Sequence, residues 1–410
     1  MPKLPRKAWQ LLGLLGVAEL FDHYDQALLS LALPQIQRDL EIPEAMLGTI
    51  GGIVRAGALF AIGLTVLADR WGRRRLLLVT IIGLTLSTLA TAFVRTPAEL
   101  VIVQCIGRLF MAAESMLAVV VIAEELAARD RGFGLGIMGA LGSLGYGLAA
   151  GVLALVNLLP FGWRALYAIG VLPLLLMAWF RRSLKETRRF EQHARDRPVA
   201  TGLRDHLRPL MSLAVMYPGR TVALCAAIFP YQVAGASVYY LVSKTLQDVH
   251  GYAPGQVTAL YLIGGAVGIT GNVVAGSLGD RIGRKRVMFG FVILFATAAA
   301  GFYNASGWLL PPLWIAMTFT NTGVSVMFSA LGAELFPTSY RSTASGLRGL
   351  VSALGSVTGL FAESALYAAL GSHALAITAM LPLAAVAACV LAWFVPETAR
   401  RELEAIAPER

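Results

Sequence analysis

The sequence predicts an all-α polytopic membrane protein, with twelve spanning helices in two six-helix bundles. Three observations predict it. The 410 residues are 57% hydrophobic and only 14% charged, with mean hydropathy +0.68, whereas soluble domains hold about 25% charged residues. The cations are sorted: when alternate loops face one side, 28 of the 34 Lys and Arg fall on the side of the first residues, four on the other and two within spans. Finally, Ala68-Asp69-Arg70-Trp71-Gly72-Arg73-Arg74-Arg75 returns about 210 residues later as Gly279-Asp280-Arg281-Ile282-Gly283-Arg284-Lys285-Arg286, again between apolar runs. A recurrence at half the chain length means two copies of one unit.

Each span needs about 20 apolar residues, and only helices satisfy their own backbone in lipid without closing a barrel. The apolar runs place helices near 9–35, 45–68, 76–95, 98–122, 133–157 and 164–181. A second set lies near 219–244, 256–278, 287–306, 310–333, 345–370 and 373–395. The first run carries Glu19, Asp22 and Asp25 and lacks a small-residue cleavage site, so no cleaved signal peptide is expected. Arg182 to Pro218 is the long polar segment, in which Lys185–Phe190 and Arg204–Arg208 read as short amphipathic helices. The expected domains are a bundle over 1–181, a cytoplasmic linker over 182–218, a bundle over 219–395 and a tail over 396–410. The cation asymmetry puts both termini in the cytoplasm of a cell membrane, the bacterial inner membrane by expectation. It also explains the net charge of +10 as topology and attraction to anionic lipid, not nucleic-acid binding. Cys105, Cys225 and Cys389 all lie in apolar runs and read as packing residues, not as a disulfide framework.

The two acid-Gly-cation loops resemble the signature loop of the major facilitator superfamily of transporters, which lies between helices 2 and 3 with a weaker copy between helices 8 and 9. Glu124-Glu125-Leu126-Ala127-Ala128-Arg129-Asp130-Arg131-Gly132 after helix 4 matches Glu334-Leu335-Phe336-Pro337-Thr338-Ser339-Tyr340-Arg341 after helix 10. The second of these, with Gly162-Trp163-Arg164 and the Pro396-Glu397-Thr398 tail, resembles sugar-porter and metabolite:proton symporter branches. Asp22-His23-Tyr24-Asp25 is similar to the D-G-[FY]-D of aromatic-acid and related symporters, with His in place of Gly. Helix 7 departs from sugar porters: Gln232 is single, and Gly235 precedes Tyr239-Tyr240 by two residues fewer than in that pattern. The resemblance implies parallel repeats, alternating access and a cavity lined by helices 1, 4, 7 and 10. It also implies a gating role for Asp69, Arg70, Gly72, Arg73, Glu125, Asp280, Arg281, Gly283, Arg284, Glu334 and Arg341. Arg73 would pair with an acid ending helix 4, with Glu125 as the candidate, and Asp69 would sit against the N-terminus of helix 11. A carboxylate so placed contributes about 0.3–1 kcal/mol, weak enough to be made and broken in each cycle.

Ionisable residues at membrane depth are a functional signal by default. At roughly 1.5 Å per residue, Asp22 lies about 20 Å, Arg55 about 21 Å and Arg108 about 24 Å from the cytoplasmic ends, with Glu19 and Glu114 near 15 Å. Asp22, Asp25 and Glu114 are the candidate proton carriers. Arg55 and Arg108 are candidates for an anionic substrate group, although one of them, Arg108 by preference, can equally serve a local ion pair. Tyr146, Tyr231, Gln232, Tyr239 and Asn321 are candidate polar contacts, and the helix 7 aromatics read as well as ordinary packing. Glu363 is placed near the outer end, as an external gate or a surface residue. Glu19, Asp22, His23 and Asp25 converge poorly for a metal, so neither metal nor cofactor is expected.

These residues point to a functional monomer that couples protons to import of a small polar metabolite, an organic anion in the first reading. The alternative is a proton antiporter exporting amphipathic or cationic compounds; the Gly142–Gly147 run lacks the proline usual in such exporters. A metabolite sensor lacks support in any signalling segment. An enzyme lacks support in any nucleotide loop or nucleophile elbow.

Overall fold

The computed structural model describes residues 4–127, 130–181 and 203–399; Lys185–Phe190, expected to be amphipathic, lies outside the described residues. All twelve expected helices are present, and no strand occurs among the described residues. In the first set, α1 is Arg6–Leu31, α2 combines Leu47–Ala56 and Ala61–Trp71, α3 is Arg73–Thr91, α4 is Pro97–Glu125, α5 is Arg131–Leu153 and α6 is Trp163–Arg181. In the second, α7 is Pro218–Lys244, α8 is Pro254–Ile282, α9 is Arg284–Asn304, α10 is Leu310–Glu334, α11 is Arg341–Leu370 and α12 combines His373–Met380 and Pro382–Phe394. The segment around Arg204–Arg208 is helical as expected, within Leu203–Met216.

The local chemistry explains the ends. Helix α1 stops at Leu31, short of the expected 35, and a separate short helix, Leu33–Asp39, begins with proline in its first turn, where a missing N–H costs nothing. Thr96 caps α4 by accepting from the Glu99 backbone N–H at 3.2 Å, while the Glu99 carboxylate reaches back to the Arg95 N–H at 2.7 Å, a reciprocal capping arrangement. Inside α2 a tight turn at Gly57–Phe60 interrupts the helix.

Among the described residues, ten helical segments are long and apolar enough to cross a membrane. Helix α6 contributes a shorter apolar stretch, Trp163–Trp179. Helix α1 falls short because every 18-residue window contains at least three charged residues, with its acids the main cause. Trp179, Trp308 and Trp393 are strongly exposed, as are Phe93 and Phe161, which suits side chains facing lipid and its interface.

The described residues fall into two compact units. The first comprises those within Met1–Ile42, Ile53–Leu203 and Ala253–Thr258; the second, those within Pro43–Gly52, Arg204–Tyr252 and Ala259–Arg410. In the first unit Leu12 and Leu15 of α1 join Leu76 and Leu77 of α3, Leu117 and Val121 of α4 and Met138 of α5 in one buried cluster.

Glycine permits close helix crossings, and it does so at matching places in the two units. A Cβ at Gly145 of α5 would collide with the carbonyl of Leu20 in α1, and one at Gly57 of α2 with that of Cys105 in α4. In the second unit Gly359 of α11 lies against the Val233 carbonyl of α7, and Gly271 of α8 against that of Phe319 in α10. Both glycines recur 214 residues later (57 to 271, 145 to 359). Lipid gives apolar helix faces no reason to associate, so close backbone approach through small residues becomes the main source of contact. The repeat read from two surface loops therefore extends into the packing.

Candidate functional site

In the first unit, the acids of α1 are buried because that helix is covered on several sides. Its Tyr24 hydroxyl donates to the Leu166 carbonyl of α6 at 2.7 Å, and its opposite face packs along α5. Asp22 is 1% exposed and Asp25 4%, which leaves carboxylates at a depth where charge is costly. Asp25 accepts from Thr88 of α3 at 2.9 Å and lies within electrostatic reach of Arg108 on α4. Tyr146 of α5 lies in the field of both Arg108 and Arg55. The unit thus brings together Asp25, Arg55, Arg108 and Tyr146, four residues singled out from the sequence.

Glu19 and Glu114 form a second group. Glu114, 1% exposed, accepts from the Thr80 hydroxyl of α3. Glu19 accepts from Ser115 at 3.3 Å and lies 3.6 Å from His23; Glu19 and Glu114 are within electrostatic reach of one another. His23 also bonds the Glu19 carbonyl at 2.9 Å and sets its ring edge-on to Tyr146, 5.4 Å between centroids. Thr80, Thr88 and Ser115 escaped the sequence reading, since a hydroxyl in an apolar helix carries no signal until its facing helix is known.

In the second unit, the Tyr231 hydroxyl donates to Asn321 Oδ1 at 2.8 Å, and Tyr239 donates to the Met317 carbonyl at 3.1 Å. Tyr231 is packed against Phe295 and Phe328, with centroids at 5.4 and 5.6 Å. Tyr239 lies parallel to Phe295 and edge-on to Trp314, whose indole N–H donates to the Leu260 carbonyl at 2.8 Å. Tyr231 is buried, whereas Gln232, Tyr239 and Asn321 keep partial exposure. The result is an aromatic wall with an amide and phenols set into it.

The two repeated loops are built alike. Gly72 and Gly283 take φ of 93° and 106°, a region glycine enters without strain, and each is followed directly by the next helix. Arg73 Nε lies 3.4 Å from Glu124 in the first unit, and Arg284 lies 2.8 Å from Glu334 and 3.3 Å from Asp280 in the second. The sequence reading named Glu125; the residue found beside Arg73 is Glu124, while Glu125, one helical step on, is exposed. The side chains of Asp69 and Arg70 lie outside the described set. Arg281 is exposed, whereas Arg341 is half-buried at the start of α11.

The tail supplies a feature the sequence did not disclose. Glu397 sits over the N-terminus of α9, accepting from the backbone N–H of Arg284 at 2.9 Å and of Lys285 at 3.3 Å, and from Thr398 and Ala399 at 3.0 Å each. Beside it a cleft of about 700 Å³ is lined by Arg281, Lys285, Arg286 and Phe289. Burial opposes ionisation of Glu397, but these backbone donors outweigh it and hold the carboxyl below its ordinary value. Its stabilisation is therefore present above the unfolded-state value, about 4.3, and is lost as pH falls through the lower folded value. Glu397→Ala should cost about 0.5–2 kcal/mol at neutral pH, in the range of other helix caps. Thermal unfolding curves of wild type and variant should converge as the pH drops below about 4.

Glu363 of α11, expected near the outer end as an external gate or a surface residue, is fully buried and joined to His373, a residue not singled out from the sequence.

Comparison with known proteins bears on the family and the fold. A model of the Major Facilitator Superfamily matches residues 15–330 and 234–409. A protein of Cupriavidus pinatubonensis named "Probable 4-methylmuconolactone transporter" is 28% identical over 342 residues, covering 79% of this chain and 76% of that one. The gallate transporter of Pseudomonas putida is 29% identical over 371 residues, covering 82% and 80%. Among solved structures, the inward-open xylose transporter of E. coli superposes with a TM-score of 0.76 at 18% identity, over 97% of this chain and 99% of that one.

Proposed function

The chain belongs to the Major Facilitator Superfamily and is a multi-pass membrane transporter of small molecules; from that premise we propose that it is a proton-coupled symporter importing a small ring-bearing organic anion. One observation carries the proposal: a buried carboxylate, Asp25, shares its surroundings with Arg108, and Arg108 and Arg55 both act on Tyr146. A guanidinium offers a planar fork to a carboxylate, and a buried acid in the same cluster supplies the site for the proton. The relatives named for gallate and 4-methylmuconolactone favour a ring-bearing anion.

The working cycle is alternating access, in which loading an acid with a proton changes the favoured state. In this reading the bundles are 1–181 and 219–395, joined by a cytoplasmic linker. Both termini face the cytoplasm of the bacterial inner membrane, and the monomer is the functional unit. The Arg73–Glu124 and Arg284–Glu334 pairs make and break between states.

The test is proton flux in proteoliposomes holding an internal pH dye, with hydroxybenzoates, nicotinate, sugars and cationic drugs presented in turn. Acidification by a ring-bearing acid is expected, with apparent affinity lowered by about 10- to 100-fold in Arg55→Ala, the worth of one charge-assisted hydrogen bond. Alkalinisation by a cationic drug that survives Arg55→Ala would overturn the reading and establish the exporter instead.

A further inference from the structure

Within the second unit, remote in sequence from Asp25, five ionisable groups gather where Pro43–Gly52, α7, α11 and α12 meet. His373 uses both ring nitrogens on carboxylates: Nε2 lies 3.0 Å from Glu44 Oε2 and Nδ1 lies 2.5 Å from Glu363 Oε1. Lys244 holds the other oxygen of Glu44 at 2.9 Å and Asp248 at 2.9 Å. The imidazole plane is fixed by stacking on Tyr367, 4.2 Å between centroids. Two further contacts close the site. Gly48 lies so near Glu363 that a Cβ there would collide with its Oε2, and the Ser364 hydroxyl accepts from the Thr49 N–H at 2.8 Å. Tyr303 of α9 is also within electrostatic reach of Glu363.

Exposure falls in one direction across this row. The side chain of Glu44 is 42% exposed, His373 16% and Glu363 0%. A buried carboxylate is costly unless it is paired and hydrogen-bonded, and His373 supplies that pairing for Glu363. An imidazole between two carboxylates can take a proton on one nitrogen and release another from the opposite one.

We propose that Glu44, His373 and Glu363 form a proton-loading relay at the end of the second unit away from its Gly283 loop, with Glu44 as the water-facing entry, His373 as carrier and Glu363 as the buried acceptor. A proton from water passes through Glu44 Oε2 to His373 Nε2. The imidazolium then releases its Nδ1 proton to Glu363 Oε1, which becomes a neutral acid, and the imidazole is left protonated on Nε2. Return of the tautomer resets the relay. Lys244 and Asp248 orient Glu44, and Tyr367 orients the ring. The relay deepens the symport reading by naming where the proton enters, and it rests on that reading for its role in transport.

Its test does not need a substrate. Purified protein in lipid nanodiscs would be subjected to a pH jump between about 8 and 5, the range histidine spans, while the infrared carbonyl stretch of buried carboxylic acids is followed. A band that rises in wild type and Asp25→Asn but is missing in Glu363→Gln is expected. Glu44→Gln and His373→Gln should slow its rise by on the order of a hundredfold, the scale of losing one positioned acid–base group. Identical bands in wild type and Glu363→Gln, or an unchanged rate in both Glu44→Gln and His373→Gln, would overturn the relay. Size-exclusion profiles matching wild type guard against misfolded variants. If the relay fails while Asp25→Asn still abolishes coupled uptake, the symport reading stands without it. If the infrared result holds and no organic acid drives acidification, the symport reading is what fails.

Discussion

Asp25→Asn is expected to abolish substrate-driven acidification of proteoliposomes, lowering proton flux by at least about a hundredfold, while exchange of labelled for unlabelled substrate across the same membrane survives. The distinction follows from the geometry. Asparagine keeps the size of the side chain and an acceptor for the Thr88 hydroxyl, which donates to Asp25 at 2.9 Å, so the packing of α1 on α3 is retained. It cannot bind and release a proton. Net uptake needs the carboxyl to load on one side and discharge on the other, whereas exchange returns the carrier in the same protonation state each time. Loss of both activities would make Asp25 a structural or substrate-binding residue, and loss of neither would transfer the coupling role to Asp22 or Glu114. Measuring both fluxes on one preparation separates these outcomes.

The second large effect lies in packing. Gly145→Leu and Gly359→Leu should each destroy the folded protein, seen as loss of the monodisperse size-exclusion peak. Each puts a side chain where a carbonyl of the facing helix already sits, that of Leu20 or Val233. Even added methylenes in a packed interior cost about 1–3 kcal/mol, and here the obstacle is backbone, which cannot turn aside as a side chain does. Gly139 in α5 and Gly349 in α11 have nothing within 4 Å of a built Cβ. Alanine at those positions should be tolerated, with up to about 1 kcal/mol gained from helix propensity. Equal damage at the contacted and open glycines would show that the crossing is not what they serve.

The fold was largely legible because lipid imposes a simple rule: every apolar run long enough to span must be a helix. The two loops with Gly72 and Gly283 fixed the duplication. Interruptions were harder. The turn at Gly57–Phe60 and the break before Pro382 lie inside continuous apolar runs, where hydropathy is blind to backbone hydrogen bonding. For the site, counting the rise per residue puts Asp25, Arg55 and Arg108 at similar depths; in the structure Asp25 lies within electrostatic reach of Arg108, and Tyr146 within that of Arg108 and Arg55. Depth along a helix is readable from sequence; rotation about its axis relative to a neighbour is not. That is why Thr80 and Thr88 went unnoticed, why Glu124 stood where Glu125 was expected, and why His373 was missed, 329 residues from its partner Glu44.

Helix α1 has a consequence for how the protein is made. Asp22 and Asp25 each add about 2.5–3.5 kcal/mol to the cost of inserting a helix at its centre, and α1 fails the apolarity that ten other segments among the described residues meet. Its acids become tolerable only when Thr88 of α3, Ser115 and Arg108 of α4 and the glycine face of α5 are in place, and all of these leave the ribosome after it. During synthesis α1 is therefore expected to wait beside the insertion machinery, or at the membrane surface, until later helices arrive to shelter it. The carboxylates that would let the finished bundle carry protons thus also dictate the order in which it can be assembled.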